Sequence, residues 1–318
     1  MVDPLAVALG LLRADAPGDD VLQSPEGWPR WSVLLPHVLT VTAHVPDDGG
    51  EDLALAQDCS YLLDRAATFL QAHGRYVEAT PLLERALVIA EAVHGPDHPD
   101  VAVGLNNLAL VLQDLGDPAA ARPLLERALA IIEAVDGPDH PDVATGLNNL
   151  ATVLQDLRDA AAARPLAERA LAIDEAVYGA DHPAVAIRLN NLGAVLWDLG
   201  DAAAARPLVE RALAIDEAVY GPDHPVVGTG LNNLARVLRD LGEATAARPL
   251  AERALAITEA VYGPDHPVVA IRLSNLGAVL WDLGDVTTAR PLLERALAID
   301  GAVHGPGSKG SGLPDPRQ

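Results

Sequence analysis

Cysteine occurs once in 318 residues, at Cys59. No disulfide framework can form within the chain, and a lone thiol fits a reducing compartment. Lysine also occurs once, at Lys309, and every other basic residue is arginine. Aromatic residues make up only 3%. A core built almost without them is one of Leu, Ala and Val, which suits close-packed helices better than sheet. Positive charge is scarce, with 22 Lys and Arg against 45 Asp and Glu, a net charge of −23. Binding to a polyanion needs a basic stripe and the sequence has none, which argues against nucleic acid as a partner. No apolar run of about 18 residues occurs, and the N-terminus lacks a basic-then-apolar signal pattern, so no membrane segment is expected and the chain reads as cytoplasmic. The phosphate-binding pattern G-x-x-x-x-G-K-[ST] is missing; Gly307, Ser308, Lys309 and Gly310 have the wrong spacing and no strand before them. No Ser/His/Asp or Cys/His constellation and no isolated carboxylate pair stands out. The sequence therefore gives no catalytic residue, no cofactor and no enzyme.

What the sequence does have is a repeat. The loop Gly95-Pro-Asp-His-Pro99 returns at Gly137, Gly179, Gly221 and Gly263, each time after 42 residues, with a broken copy at Gly305. A fixed period in this range signals stacked supersecondary units. Each unit reads as two helices. The first runs from Pro99 to Leu115, with Asp97 or His98 at the N-cap and Pro99 in the first turn. Leu105, Leu108, Ala109 and Leu112 form its apolar stripe. Gly116 stops it, and Asp117-Pro118 opens the second helix, which places Ala121, Leu125, Ala128 and Leu129 on one face and ends at Asp136-Gly137. Ala121, Ala128 and Ala109 recur as small residues in every unit, which lets helices cross closely. Pro81, Pro123, Pro165, Pro207, Pro249 and Pro291 lie inside the second helices, where a bend or a distorted first turn is expected. Arg122 and Glu126 recur as an i,i+4 pair.

Leu105, Leu108, Ala109, Leu112, Gly116, Ala121, Leu125 and Ala128 fall on the consensus places of the tetratricopeptide repeat. The 42-residue form, with LNNLA in the first helix, ARPLLERAL in the second and GPDHP between units, resembles the kinesin light chain type. The resemblance implies an all-α, right-handed superhelical solenoid of helix-turn-helix repeats, about six helix pairs, acting as a non-catalytic protein- or peptide-binding scaffold through a concave groove. The array is expected over 51–304, with units near 60–94, 95–136, 137–178, 179–220, 221–262 and 263–304. Residues 1–50 are expected to form an N-terminal helical cap and linker, and 305–318 a disordered tail.

In that N-terminal piece, helices are expected at 3–13, capped by Asp3, and at 29–44, kinked at Pro36, with Trp31, Leu34, Leu35, Val38 and Val41 as a stripe. Trp28 and Trp31 would cover the open end of the first pair. The stretch PEGWPRWSVLLPHVLTVTAHV resembles the segment that joins an NB-ARC-type module to the repeats in bacterial STAND signalling NTPases. This implies an alternative function, the sensor part of such a protein whose nucleotide-binding module is absent from this chain. At the other end no polar capping helix follows residue 303, which points to truncation or to self-association through that end.

At about 100° per residue, the first-helix stripe points one way and Asn106, Asn107, Leu110, Gln113 and Asp114 point the other. A carboxamide donates and accepts, so an Asn ladder can pair with the backbone of an extended peptide without reading its side chains. The family resemblance carries this role onto Asn107, Asn149, Asn191, Asn233 and Asn275. The alternative is that these amides bond the neighbouring unit. Trp197, Arg236, Arg239 and Trp281 lie on the same face and suit an acidic or aromatic peptide. Against this, the arginines could pair with Asp198, Asp240 and Asp282, and the two tryptophans could be copies from duplication of a two-unit block. The series His98, His140, His182, His224 and His266 places one imidazole per unit, which does not converge on a tetrahedral metal site; these residues read as helix starts.

Overall fold

The computed structural model describes residues 3–17, 27–47 and 52–304. The expected tail at 305–318 and parts of the expected N-terminal cap and linker over 1–50 lie outside the described residues. Among the described residues every regular element is a helix. The chain forms two compact units, residues 1–159 and 160–318. The first holds α1 (Pro4–Asp15), α2 (Trp28–Thr42), α3 (Leu53–Ala72), α4 (Tyr76–His94), α5 (Pro99–Asp114), α6 (Pro118–Asp136) and α7 (Pro141–Asp156). The second holds α8 (Ala160–Tyr178), α9 (Pro183–Asp198), α10 (Ala202–Tyr220), α11 (Pro225–Asp240), α12 (Ala244–Tyr262), α13 (Pro267–Asp282) and α14 (Val286–His304). Within each unit, sequential helices pack against one another.

The helix starts follow from the loop sequence. His98, His140, His182, His224 and His266 are N-caps, and each Nδ1 accepts the backbone N–H two residues on at 3.1–3.3 Å. This satisfies one of the orphan donors of the first turn. The proline that follows lacks an N–H in any case and sits at the first helical position. His98 stacks on His94, and His182, His224 and His266 stack on Tyr178, Tyr220 and Tyr262, with ring centroids 4.3–4.8 Å apart.

The recurrent alanines are the packing contacts. Ala79, Ala121, Ala163, Ala205, Ala247 and Ala289 are fully buried. At the position of Ala109 two units have glycine, and there the facing side chain has moved in. A Cβ at Gly193 would stand 2.6 Å from Val209, and one at Gly277 would stand 2.6 Å from Leu293. The helices run unbroken through Pro81, Pro123, Pro165, Pro207, Pro249 and Pro291, and α2 runs unbroken through Pro36.

At the N-terminal side, α1 and α2 pack on each other and on α3. Trp31, Leu34, Leu35 and Val38 are buried there, with Trp31 stacked 6.4 Å from Phe69. Arg85 of α4 fixes the end of α2 by donating to the carbonyls of Thr42 at 2.9 Å and Val45 at 2.6 Å. A related clamp recurs between second helices. Arg127, Arg211, Arg253 and Arg295 pair with Glu91, Glu175, Glu217 and Glu259 at 2.5–2.7 Å. Each also donates to a carbonyl of the preceding loop, at Pro96, Ala180, Pro222 and Pro264. Arginine serves here because one planar guanidinium reaches a carboxylate and a carbonyl together. No described helix is long and apolar enough to cross a membrane.

Candidate peptide-binding face

First helices of consecutive repeats lie side by side, and their polar residues meet across a register of 43 residues. In the first unit, Asn107 Nδ2 donates to Asp64 Oδ1 at 2.8 Å and Asn149 Nδ2 donates to Asn106 Oδ1 at 2.8 Å. In the second, Asn275 Nδ2 donates to Asn232 Oδ1 at 2.8 Å. In the Asn106–Asn149 and Asn232–Asn275 rungs the first asparagine position accepts from the next repeat and the second donates to the previous one, whereas Asn190 Oδ1 has no partner. Asn107, Asn149, Asn191, Asn233 and Asn275 are all half-buried. A parallel row joins Gln71 to Asp114 at 3.0 Å and Gln113 to Asp156 at 2.5 Å. Burial pushes the Asp114 carboxyl above its ordinary range, opposed by the bond from Gln71.

The four singular residues of this face all lie in the second unit. Trp197 Nε1 donates to Asp240 Oδ2 at 2.6 Å, and the Arg236 guanidinium lies 4.1 Å from the Trp197 ring centroid. Burial pulls the Arg236 guanidinium below its ordinary range, opposed by Asp198. Arg239 pairs with Asp240 at 3.0 Å and reaches Asp282 at 3.6 Å. Trp281 is 48% exposed. A narrow crevice of about 20 Å³ lies between Trp197, Arg236, Asn233 and Gly193. The structure thus brings Trp197, Arg236, Arg239 and Asn233 together. The charges of Arg239 are met by aspartates of its own unit.

Three features were not anticipated from sequence. The first unit has a larger cavity, about 410 Å³, lined by Tyr61, Asp64, Arg65, His94 and Gly104 among others. Arg13, held by Asp58, lies 4.7 Å from the Tyr61 ring at its edge. The second is that His94, where three later repeats have Tyr178, Tyr220 and Tyr262, adds a second imidazole to a helix start. His94, His98 and Asp100 hold possible metal-ligand atoms within 4.8 Å of one another, as do Asp136, His140 and Asp142. Both groups use a cap imidazole whose Nδ1 already accepts a backbone N–H, and His98 is stacked nearly parallel on His94. In-plane lone pairs of parallel rings do not meet at one ion. The third is a buried ion pair, Arg188 Nε to Asp174 Oδ2 at 2.8 Å. A signal for it was present, since both residues interrupt apolar or small positions of the repeat.

What this face offers chemically is amides, guanidinium groups, carboxylates and indoles. The chain is similar to a crystal structure of a Podosopora anserina kinesin light chain-type protein with nearly identical TPR-like repeats, at 25% identity over 66% of this chain and 99% of that one, with a TM-score of 0.52. It shares its fold with BtubC (BKLC) from P. vanneervenii, at 22% identity, 94% and 99% coverage and a TM-score of 0.51. It also shares its fold with a Rap protein complexed with competence and sporulation factor, at 14% identity, 94% and 98% coverage and a TM-score of 0.54. No curated protein matches the chain. The tetratricopeptide repeat model matches residues 58–134, 100–176, 142–218, 187–257 and 226–302, and the resemblance of the stretch around Trp28 and Trp31 to an NB-ARC linker is not shown by these comparisons. With most of its length matched by that repeat, the chain belongs to the tetratricopeptide repeat family.

Proposed function

We propose that this protein is a non-catalytic scaffold that holds segments of other proteins, as extended peptides, along its first-helix face. The observation that carries the reading is the half-used asparagine ladder. Asn149 and Asn275 each direct Nδ2 to the preceding repeat, which fixes the amide and leaves Oδ1 to accept a peptide N–H. Fixing a side chain beforehand lowers the entropy lost on binding. Asn107 in the first unit, and Asn191 and Asn233 in the second, stand at the equivalent positions. Trp197, Arg236, Arg239 and Trp281 supply the anchors for an acidic or aromatic segment. Trp281 is the exposed indole, and Arg239 can exchange Asp282, at 3.6 Å, for a ligand carboxylate. The Rap protein similar in fold is itself complexed with competence and sporulation factor.

The test is capture of displayed random dodecapeptides by the full chain and by the quadruple variant Trp197→Ala/Arg236→Ala/Arg239→Ala/Trp281→Ala, both checked for helicity by circular dichroism. The expected result is enrichment of acidic and aromatic sequences by the parent, lost at least tenfold in the variant. Equal enrichment by both proteins would remove these four residues from the binding site.

A further inference from the structure

The 410 Å³ cavity of the first unit lies among α3, α4 and α5, with Arg13 of α1 at its edge. Ala90 of α4 and Gly104 of α5 both line it, and their small size accounts for it. The corresponding pairs in later repeats are Ile132 and Gly146, Asp174 and Arg188, Asp216 and Gly230, and Thr258 and Arg272. Each of these has at least one side chain larger than alanine. Asp174, Arg188, Asp216, Thr258 and Arg272 are buried, and Ile132 packs on the buried cluster that includes Ala128 and Ile131. Later repeats therefore place their own side chains where the first repeat leaves room. A Cβ at Gly104 would meet only Leu87, at an ordinary 3.4 Å, so the backbone there is not shut in by its neighbours.

The walls are of two kinds. Buried Ala86 and Ala90 form the floor, with half-buried Leu87 and Val93 beside them. Two rings, Tyr61 and His94, also line the space. The Tyr61 ring is held by guanidinium groups, Arg13 at 4.7 Å and Arg65 at 5.9 Å from its centroid. Arg13 is anchored in turn by Asp58, and Arg65 by Asp64, which also accepts from Asn107. The charged groups around the ring thus have partners within the protein, whereas the apolar floor faces open space.

We propose that this cavity is the subsite for an aromatic side chain, phenylalanine or tryptophan, of a bound protein segment. The proposal rests on the peptide-binding reading above and gives the first unit its own anchor point, since Asp64 lines the cavity and stands at the position of Asn106 on the first-helix face. The volume lies within the range of about 300–1,000 Å³ typical of ligand pockets, which accommodates the largest side chains. Water on a floor of alanine, leucine and valine finds few hydrogen-bond partners, so an apolar group gains by displacing it. The choice of an aromatic over an aliphatic group follows from the walls. A guest ring gains offset or edge contacts with Tyr61 and His94. Arg13 is 48% exposed, and its guanidinium can cover a second ring face as it does that of Tyr61. An aliphatic side chain would fill the floor but forgo both.

The test uses the full chain and three probes, the N-acetyl amides of phenylalanine, leucine and alanine, titrated by saturation-transfer NMR. The phenylalanine probe is expected to bind tighter than the leucine probe by about threefold or more, and the alanine probe not to bind. Ala90→Asp/Gly104→Arg copies the Asp174–Arg188 pair into the cavity and should abolish binding at unchanged helicity. Ala90→Ile, which copies Ile132, fills the same space with one side chain and should do likewise. The variant Trp197→Ala/Arg236→Ala/Arg239→Ala/Trp281→Ala should keep the binding, because those residues lie in the second unit. Equal affinity for phenylalanine and leucine, no binding of any probe, binding that survives both fillings, or binding lost in the quadruple variant would overturn the subsite. Capture of displayed peptides by a chain that binds no probe sinks the subsite alone. Failure of both sinks the scaffold reading as well.

Discussion

At the scale of single residues, Arg158 sits against a local rule. It is the described non-glycine residue with positive φ, at 63°, where other repeats place Gly116, Gly200, Gly242 and Gly284 at 79–81°. The left-handed conformation ends the first helix, and a side chain there crowds the following carbonyl by about 1–2 kcal/mol. Arg158 is exposed, so its side chain buries nothing in compensation. Glycine would release the strain but loses more freedom on folding, about 0.5–1 kcal/mol. Arg158→Gly is therefore expected to stabilise by a net of about 0.5–1 kcal/mol, read as a higher urea midpoint at an unchanged slope. A midpoint that stays or falls would show that the arginine does something the strain argument omits. Cys59 is another residue whose surroundings decide its chemistry. Burial raises its thiol to about 11, which keeps it protonated and poorly nucleophilic near neutrality.

At the scale of elements, the interior prolines separate what local sequence dictates from what packing overrides. Each is the sixth residue of its helix, too deep for the N-terminal exemption. Pro207 cannot donate to the carbonyl of Ala203, and an interior proline costs about 3 kcal/mol relative to alanine. The helix nevertheless runs through it because Ala205, Val209 and Ala212 on the same helix are buried against neighbours. Pro207→Ala should raise stability by about 1–3 kcal/mol by chemical denaturation, whereas Pro225→Ala, at a first helical position, should change it little. Equal effects at the two sites would mean that the missing bond is not what the interior proline costs. The same contrast explains what could be read in advance. Caps, stop glycines, alanine crossings and Arg122–Glu126 pairs are local or periodic, and the sequence displays them. The Arg127–Glu91 clamp, the Asn149–Asn106 rung and the contact of Arg236 with Trp197 join residues 36 to 43 positions apart. Their partners depend on how neighbouring helices lie side by side. Sequence could place Trp197, Arg236 and Arg239 on one face, but not say which aspartate each would meet.

At the scale of the whole molecule, charge decides between two opposing effects of salt. The net charge is −23. Most arginines already have carboxylate partners, in i,i+4 pairs such as Arg206–Glu210 and in clamps such as Arg211–Glu175 and Arg253–Glu217. The surplus is therefore unpaired acid on the surface, and its mutual repulsion opposes the compact state. At about 10 mM salt the Debye length is about 30 Å, so acids on successive repeats feel one another; at about 150 mM it is about 8 Å and they largely do not. Salt also weakens the ion pairs, but exposed pairs contribute only about 0–1 kcal/mol each, and the clamp arginines keep their neutral carbonyl partners at Ala180 and Pro222. Repulsion is summed over the full surplus, whereas the pairs lose fractions of small terms. Sodium chloride raised from about 10 to about 150 mM is accordingly expected to increase the thermal midpoint by several degrees, with most of the rise complete by the upper value. A midpoint that fell with salt would reverse this ranking and identify the Arg–Glu clamps as the dominant electrostatic contribution to the fold.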